Sequence, residues 1–313
     1  CYFFYNFYSD RAKRRRMHLS PFYLAANLHA PFGAVLRQAH RFSTCFVTVF
    51  QKGAENSMKE EILSRLSALP GRIAFYYKNL TDGECIAFHE NEPMMAASVI
   101  KLFILAEAYR QMADGRLDKN RLVTIHKKDC VPSCGVLTYM HDGLQVTVED
   151  LYTLMIILSD NTATNYMIEI LGEEAINEGI RSLGFTATRL NRRMYDEEKS
   201  ARGIQNYITA AEVGELLTRM ARGTLVSKAA STDMVRILAD QRLNGKIPFY
   251  IHAIPNHARI AHKTGEDTKI THDVGVIFTR KPFVVAFCGN ETDVAAYERE
   301  MAEISRMLYE ANA

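Results

Sequence analysis

The stretch MMAASVIKLFILAEAY, residues 94–109, places Ser98 and Lys101 at the head of an otherwise apolar run. Positions i and i+3 of a helix share a face, so both side chains can enter one cleft. A serine hydroxyl is a useful nucleophile only when a neighbouring base takes its proton. A lysine is such a base only if desolvation or nearby positive charge lowers its pKa. The apolar run supplies the desolvation, and a helix start adds exposed amide N–H groups and the positive end of the dipole beside Ser98. Taken alone, the pair is better read as a chance Ser-x-x-Lys whose lysine reaches along the surface to water.

Two polar tripeptides stand further along. Ser159-Asp160-Asn161 interrupts two helical patterns, and by itself it is a capping turn built from the preferred N-cap residues. Lys263-Thr264-Gly265 follows the apolar run ARIAH and by itself is a strand ending in a polar turn. Between residues 188 and 207 the text TRLNRRMYDEEKSARGIQNY has no clean period and reads as a long loop. Loops of that length inside a compact body are usually functional.

The elements that must position these groups follow from periodicity. MKEEILSRLSALPG, from Met58, is an amphipathic helix with Ile62, Leu63, Leu66 and Leu69 on one face, stopped by Pro-Gly. RIAFYYKNLTDGECIAFHE is a hairpin around Thr81-Asp82-Gly83. The opening segment is helical to about Asp114-Gly115. Thr147 to Asp150 forms a capping-box start, and helices ending at Gly172, Gly184 and Gly223 follow, with another over STDMVRILADQR. From Ala258 strands return as ARIAHKTG, HDVGVIFTR and FVVAFCGN, before a last helix over 294–310. The expected fold is α/β in the α+β sense: an antiparallel sheet with flanking helices from both chain ends (58–97 and 252–313) and an inserted all-helical domain (98–251).

Composition narrows the function classes. The 313 residues are 48% hydrophobic and 24% charged, enough for one large domain or two interlocked ones. A net charge of +2 offers no global field for nucleic acid. No stretch reaches the roughly 18 apolar residues of a membrane span. Six cysteines, at 1, 45, 85, 130, 134 and 288, lack zinc-site spacing and read as thiols. Residues 1–57 show neither helical nor strand period and no signal-peptide pattern, and are expected to be a disordered or non-native extension.

The ordered set of Ser-x-x-Lys, Ser-Asp-Asn and Lys-Thr-Gly resembles the class A β-lactamases and penicillin-binding proteins, over nearly all of 58–313. The resemblance implies an active site in the cleft between the two domains and a serine hydrolase acting on cyclic amides. Ser98 would be acylated, Lys101 would accept its proton, and Ser159 would relay a proton to the departing amine. Asn161 would hold a substrate amide, Lys263 and Thr264 of the Lys-Thr-Gly265 strand would bind the substrate carboxylate, and the backbone N–H groups of Ser98 and Glu266 would form the oxyanion hole. No metal or cofactor is implied, and the expected partner is a small-molecule substrate bound by a monomer.

Departures are as informative. Aligning Thr-Arg-Leu of the loop puts Met194 where such enzymes carry the glutamate that activates the deacylating water, leaving Asp196 as the best candidate. Glu266 and Asp267 bring negative charge to a pocket for anions, and His272-Asp273 stands where a basic residue is often found. The competing readings are a D-alanyl-D-alanine carboxypeptidase or transpeptidase, and a sensor that stays acylated. The family works outside the cytoplasmic membrane, whereas translation from Met58 would leave the product in the cytoplasm.

Overall fold

Alternation along the strands decides what lies on each side of the sheet. The computed structural model describes residues 57–132 and 134–313, so the expectation for 1–57 falls, Ser57 apart, outside the described residues. Five antiparallel strands run in the order β2-β1-β9-β8-β7: β1 (Arg72–Asn79), β2 (Cys85–Phe88), β7 (Ile260–Asp267), β8 (Ile270–Ile277) and β9 (Phe283–Asn290). Ile73, Phe75 and Tyr77 of β1 and Phe283, Val285 and Phe287 of β9 join one apolar core. Ala74 and Val284, Ala286 and Cys288 join the other. The first core is completed by α1 (57–67) through Ile62 and Leu66, and by α10 (Val294–Asn312) through Tyr297, Met301 and Leu308. Phe75 lies opposite Phe287 in register, with ring centroids 5.0 Å apart.

The second core is helical. At its centre α2 (Lys101–Ala113) is buried continuously from Lys101 to Tyr109. Around it pack α3 (Val148–Ile157), α4 (Asn161–Leu171), α5 (Glu173–Ser182), α7 (Ala210–Ala221) and α8 (Lys228–Ala239). Thr147 and Asp150 form the expected capping box of α3. Thr209 caps α7 by accepting Glu212 N–H, but the Glu212 side chain does not complete a capping box. Its carboxylate instead accepts the backbone N–H groups of Thr186, Ala187 and Thr188 at 2.7–3.0 Å and anchors the start of the long loop.

Three features differ from the sequence expectations. The helix beginning near Ser98 is in fact a 3₁₀ turn over Ala97–Ile100 that passes into α2 at Lys101. The segment 188–207 contains a short helix, α6 (Glu197–Ala201). Short ribbons β3 (Met94–Met95) with β6 (Tyr207–Ile208) and β4 (Leu122–Ile125) with β5 (Leu144–Thr147) tie loops together, and α9 (Pro248–Ile251) precedes β7. These pieces are too short to carry a period, so pattern reading passes over them.

Asp160 is the hinge of the helical layer. Its Oδ1 accepts Ala163 N–H at 2.9 Å as the cap of α4, and its Oδ2 accepts Val136 and Leu137 N–H at 2.7 and 3.0 Å. Gly135, at φ 115°, lies so close that a Cβ there would sit 2.2 Å from Asp160 Cγ. Replacing Asp160 with Ala leaves three backbone donors unmatched, those of Leu137 and Ala163 buried, and is expected to cost about 3 kcal/mol in urea unfolding; a loss under about 1 kcal/mol would contradict this role.

Candidate active site

Ser98 lies within the 3₁₀ turn that passes into α2 at Lys101. Such a turn has three residues per repeat, so positions i and i+3 eclipse one another more closely than on an α-helix. The turn is held by Val99 N–H to Ala96 O at 3.0 Å, and Ala96 N–H donates to Asn206 O at 2.8 Å. Ala97 enters it at φ 41°, a left-handed conformation that costs a non-glycine residue roughly 1–2 kcal/mol. Strain of this kind persists where surrounding contacts fix the backbone.

Lys101 is fully buried at the head of α2. Its Nζ donates to Ser159 O and Asn161 Oδ1, both at 2.8 Å, and lies 3.1 Å from Ser159 Oγ. Ser159, between α3 and α4, sits at φ 55°, and both its carbonyl and its hydroxyl reach the lysine. Lys263, fully buried on β7, donates from Nζ to the same Ser159 Oγ at 3.0 Å and to Thr264 O at 2.7 Å. One hydroxyl therefore stands between two amines from distant parts of the chain.

Two ammonium groups at this spacing, both out of water, repel. Burial holds Lys101 well below the ordinary lysine range, and the Lys263 charge pushes it further down. Burial also brings Lys263 down to about 7, against the pull of Asp273 in the other direction. A neutral Lys101 has two N–H groups, which match its two carbonyl acceptors. Its lone pair is then left to take a proton.

Ser98, Ser159, Asn161 and Thr264 line one cavity of about 780 Å³, together with Cys134, Met194, Asp196 and Glu266. Lys101 and Lys263 reach it through Ser159. Gly265 brings β7 against the Ser98 turn: a Cβ there would lie 3.0 Å from Val99 Cγ2 and 3.3 Å from Ser98 N. The charge of Glu266 is met by buried Lys246, whose Nζ is 2.8 Å from Glu266 Oε1 and 3.3 Å from Glu298 Oε1. His272 is sealed: Nδ1 accepts Gly289 N–H at 3.1 Å and Nε2 meets Met95 O at 2.8 Å, while burial lowers its pKa to about 4.

The loop expected to carry a base has Met194 facing the cavity, its backbone clamped by Asn165 through Met194 N–H to Oδ1 at 2.8 Å and Nδ2 to Met194 O at 3.0 Å. Asp196 also lines the cavity, but its Oδ1 accepts Lys199 N–H at 2.9 Å as the cap of α6. Cys134, Asn165 and Lys246 were not singled out in the sequence. Each is an isolated polar residue outside any tripeptide pattern, and only the fold brings it to the site.

A buried amine thus stands beside the Ser159 hydroxyl at the edge of an antiparallel sheet. The family model described as "Beta-lactamase enzyme family" matches residues 57–311, and the chain belongs to that family. An imipenem-hydrolyzing β-lactamase of Enterobacter cloacae is 25% identical over 293 residues, covering 87% of this chain and 95% of its own. The β-lactamase of Sphaerobacter thermophilus superposes with a TM-score of 0.75 at 29% identity, covering 82% of this chain and 97% of that one. The ancestral (GNCA) class A β-lactamase gives 0.73 at 27% identity, covering 81% and 99%.

The clamp on Met194 has a direct consequence. Asn165→Ala is expected to speed amide hydrogen exchange across residues 191–196 at least tenfold and to lower stability by about 1–2 kcal/mol. Unchanged exchange there would show that the loop is held by its other contacts.

Proposed function

We propose that the protein opens the amide bond of β-lactams or related cyclic amides through an ester on Ser98, and that this ester is slow to hydrolyse. The site would occupy the crevice between a sheet-bearing domain (58–97 and 252–313) and a helical one (98–251). One observation carries the reading: buried Lys101 is joined through Ser159 Oγ to buried Lys263, and Ser159 and Ser98 share a cavity.

In the proposed reaction the Ser98 proton passes to the Lys101 lone pair as Oγ bonds to the carbonyl carbon. The oxyanion is met by the N–H groups of Ser98 and Glu266, and the approach of Gly265 to Ser98 N supports that pairing. Losing one such donor typically costs about 3 kcal/mol of transition-state stabilisation. The C–N bond then breaks, and the departing nitrogen takes the Ser159 proton, which Lys101 replaces. Thr264 and the Lys263 charge would hold the substrate carboxylate, and Asn161 a side-chain amide.

Hydrolysis of the ester needs a base for water. Methionine at 194 cannot accept a proton, and Asp196 would serve only with one oxygen already engaged in capping α6. The wall formed by Asp196, Glu197 and Asp267, opposed by Arg192, favours substrates that carry a cationic group besides the carboxylate. That observation also favours a second reading, a peptidase acting on a peptide with a free amino group.

Intact-mass analysis after exposure to a fluorescent penicillin is expected to show one adduct on Ser98 persisting for minutes or longer, absent from Ser98→Ala. Met194→Glu is expected to shorten its lifetime at least tenfold. Turnover of a chromogenic cephalosporin without adduct accumulation would contradict slow deacylation, and no adduct at all would remove Ser98 as nucleophile. The acylation rate should also fall as pH rises through about 7, because Lys263 then loses the charge that binds the substrate carboxylate. A rate still rising through that range would refute the assignment.

A further inference from the structure

A third buried lysine, which the acylation mechanism does not use, stands under the edge of the sheet. Lys246, in the loop ahead of α9, has a side chain 4% exposed. Its Nζ donates to Glu266 Oε1 at 2.8 Å and to His272 O at 3.3 Å, and lies 3.3 Å from Glu298 Oε1 of α10. Those three oxygens match the three N–H groups of an ammonium. A buried ammonium is costly unless its charge is met and its donors are bonded, and both conditions hold here.

The loop that presents Lys246 is bolted to the sheet by a buried polar chain. Ile247 N–H donates to Asp273 Oδ2 at 3.0 Å, and Asp273 Oδ1 is 2.8 Å from His262 Nδ1. His262 Nε2 is 3.0 Å from Asn244 Oδ1, and Asn244 Nδ2 donates to Gln241 O at 3.2 Å. The loop is thus tied two residues before Lys246 and one residue after it.

Strand alternation decides which charges meet. Across the β7–β8 pair Thr264 lies opposite Asp273 and Glu266 opposite Thr271, whereas Lys263 lies opposite Val274. Opposed residues share a face. Thr271 donates its hydroxyl to Glu298 of α10 at 2.7 Å, so Thr264 and Glu266 project on the α10 side, and Lys263 projects with Val274 on the side of the helical core. Because β7 is the edge strand, Thr264 and Glu266 also line the cavity. The Glu266 side chain is 53% exposed and stands two residues, about 7 Å, along the strand from Thr264. Among the described residues, Lys246 is the one cation paired with it.

We propose that Lys246 is a positioning residue that sets the charge selectivity of the cavity: its ammonium holds the Glu266 carboxylate and cancels its charge, so that Thr264 beside it can receive an anionic group. This rests on the reading that Thr264 binds a substrate carboxylate. Without Lys246 the Glu266 charge stands unbalanced beside that carboxylate, and like charges at this spacing repel.

The test uses the full chain, with the second-order rate of Ser98 acylation measured for a fluorescent penicillin and for its methyl ester. Lys246→Met keeps an apolar stem of similar length and removes the charge. It is expected to slow acylation by the penicillin at least tenfold and by the ester less than threefold. Adding Glu266→Gln to Lys246→Met should return most of that loss, because the charge that Lys246 cancelled is then gone. A lysine that only holds the loop in place would slow both substrates alike and would not be rescued.

Equal losses for the two substrates, or no rescue in the double variant, would overturn the proposal. If Lys246→Met does not fold, Glu266→Gln alone decides. Two carboxylates around one ammonium leave one net negative charge, which this variant removes, so the ratio of penicillin to ester rates should rise at least threefold; an unchanged ratio overturns the proposal. Should the wild-type protein form no Ser98 ester, the reading of function fails. Benzoate titrated against the Thr264 amide resonance then decides the role of the pair: tighter binding in Glu266→Gln than in the wild type supports it, and equal binding overturns it.

Discussion

Two amines and one hydroxyl, closed off from water, set the terms for the rest of this molecule. Ser159 Oγ is 3.1 Å from Lys101 Nζ and 3.0 Å from Lys263 Nζ, and both lysines are fully buried. Desolvation and mutual repulsion prevent both from holding a full charge. Lys101 is driven toward its neutral form, and under the proposed function that neutral amine takes the proton of the serine nucleophile. The same lysine in water would be an ammonium ion and useless as a base.

The fold can be understood as what keeps those three groups together. They come from the head of α2, the turn before α4 and strand β7, segments more than fifty residues apart in each case. A two-faced sheet supplies one wall, and a central helix buried from Lys101 to Tyr109 supplies the other. Strained backbone gathers at the junction, with Ala97 and Ser159 both at positive φ and Gly135 and Gly265 at close approaches. A looser arrangement would admit water between the amines and undo the pKa shifts on which the chemistry depends.

Much of this was legible in the sequence because period and punctuation carry it. The apolar run after Ser98, the Thr-x-x-Asp start of α3, the glycines ending the helices and the late strands all report local physics. Ser98, Lys101, Ser159 and Lys263 stood out only as an ordered set, since each motif alone has an ordinary reading. What escaped was tertiary in origin. Ser98 lies on a 3₁₀ turn because Asn206 O draws Ala96 N–H from across the β3–β6 ribbon, which no local pattern records. Glu266 read as an uncompensated charge because nothing local records Lys246 beneath it, and His272, which stands where a basic residue is often found, has both nitrogens occupied by Met95 and Gly289. The loop that carries Met194 and Asp196 is ordered by Asn165 and Glu212 from outside it and by Asn206 across its own two ends.

The charge state of Lys101 is the point on which everything turns. Following its Cε resonance by NMR against pH in the substrate-free protein reads that state without reference to any reaction. The account predicts a neutral amine at neutral pH, with Lys263 titrating separately near 7. A Lys101 that keeps its proton up to the ordinary lysine value of 10.5 would contradict it.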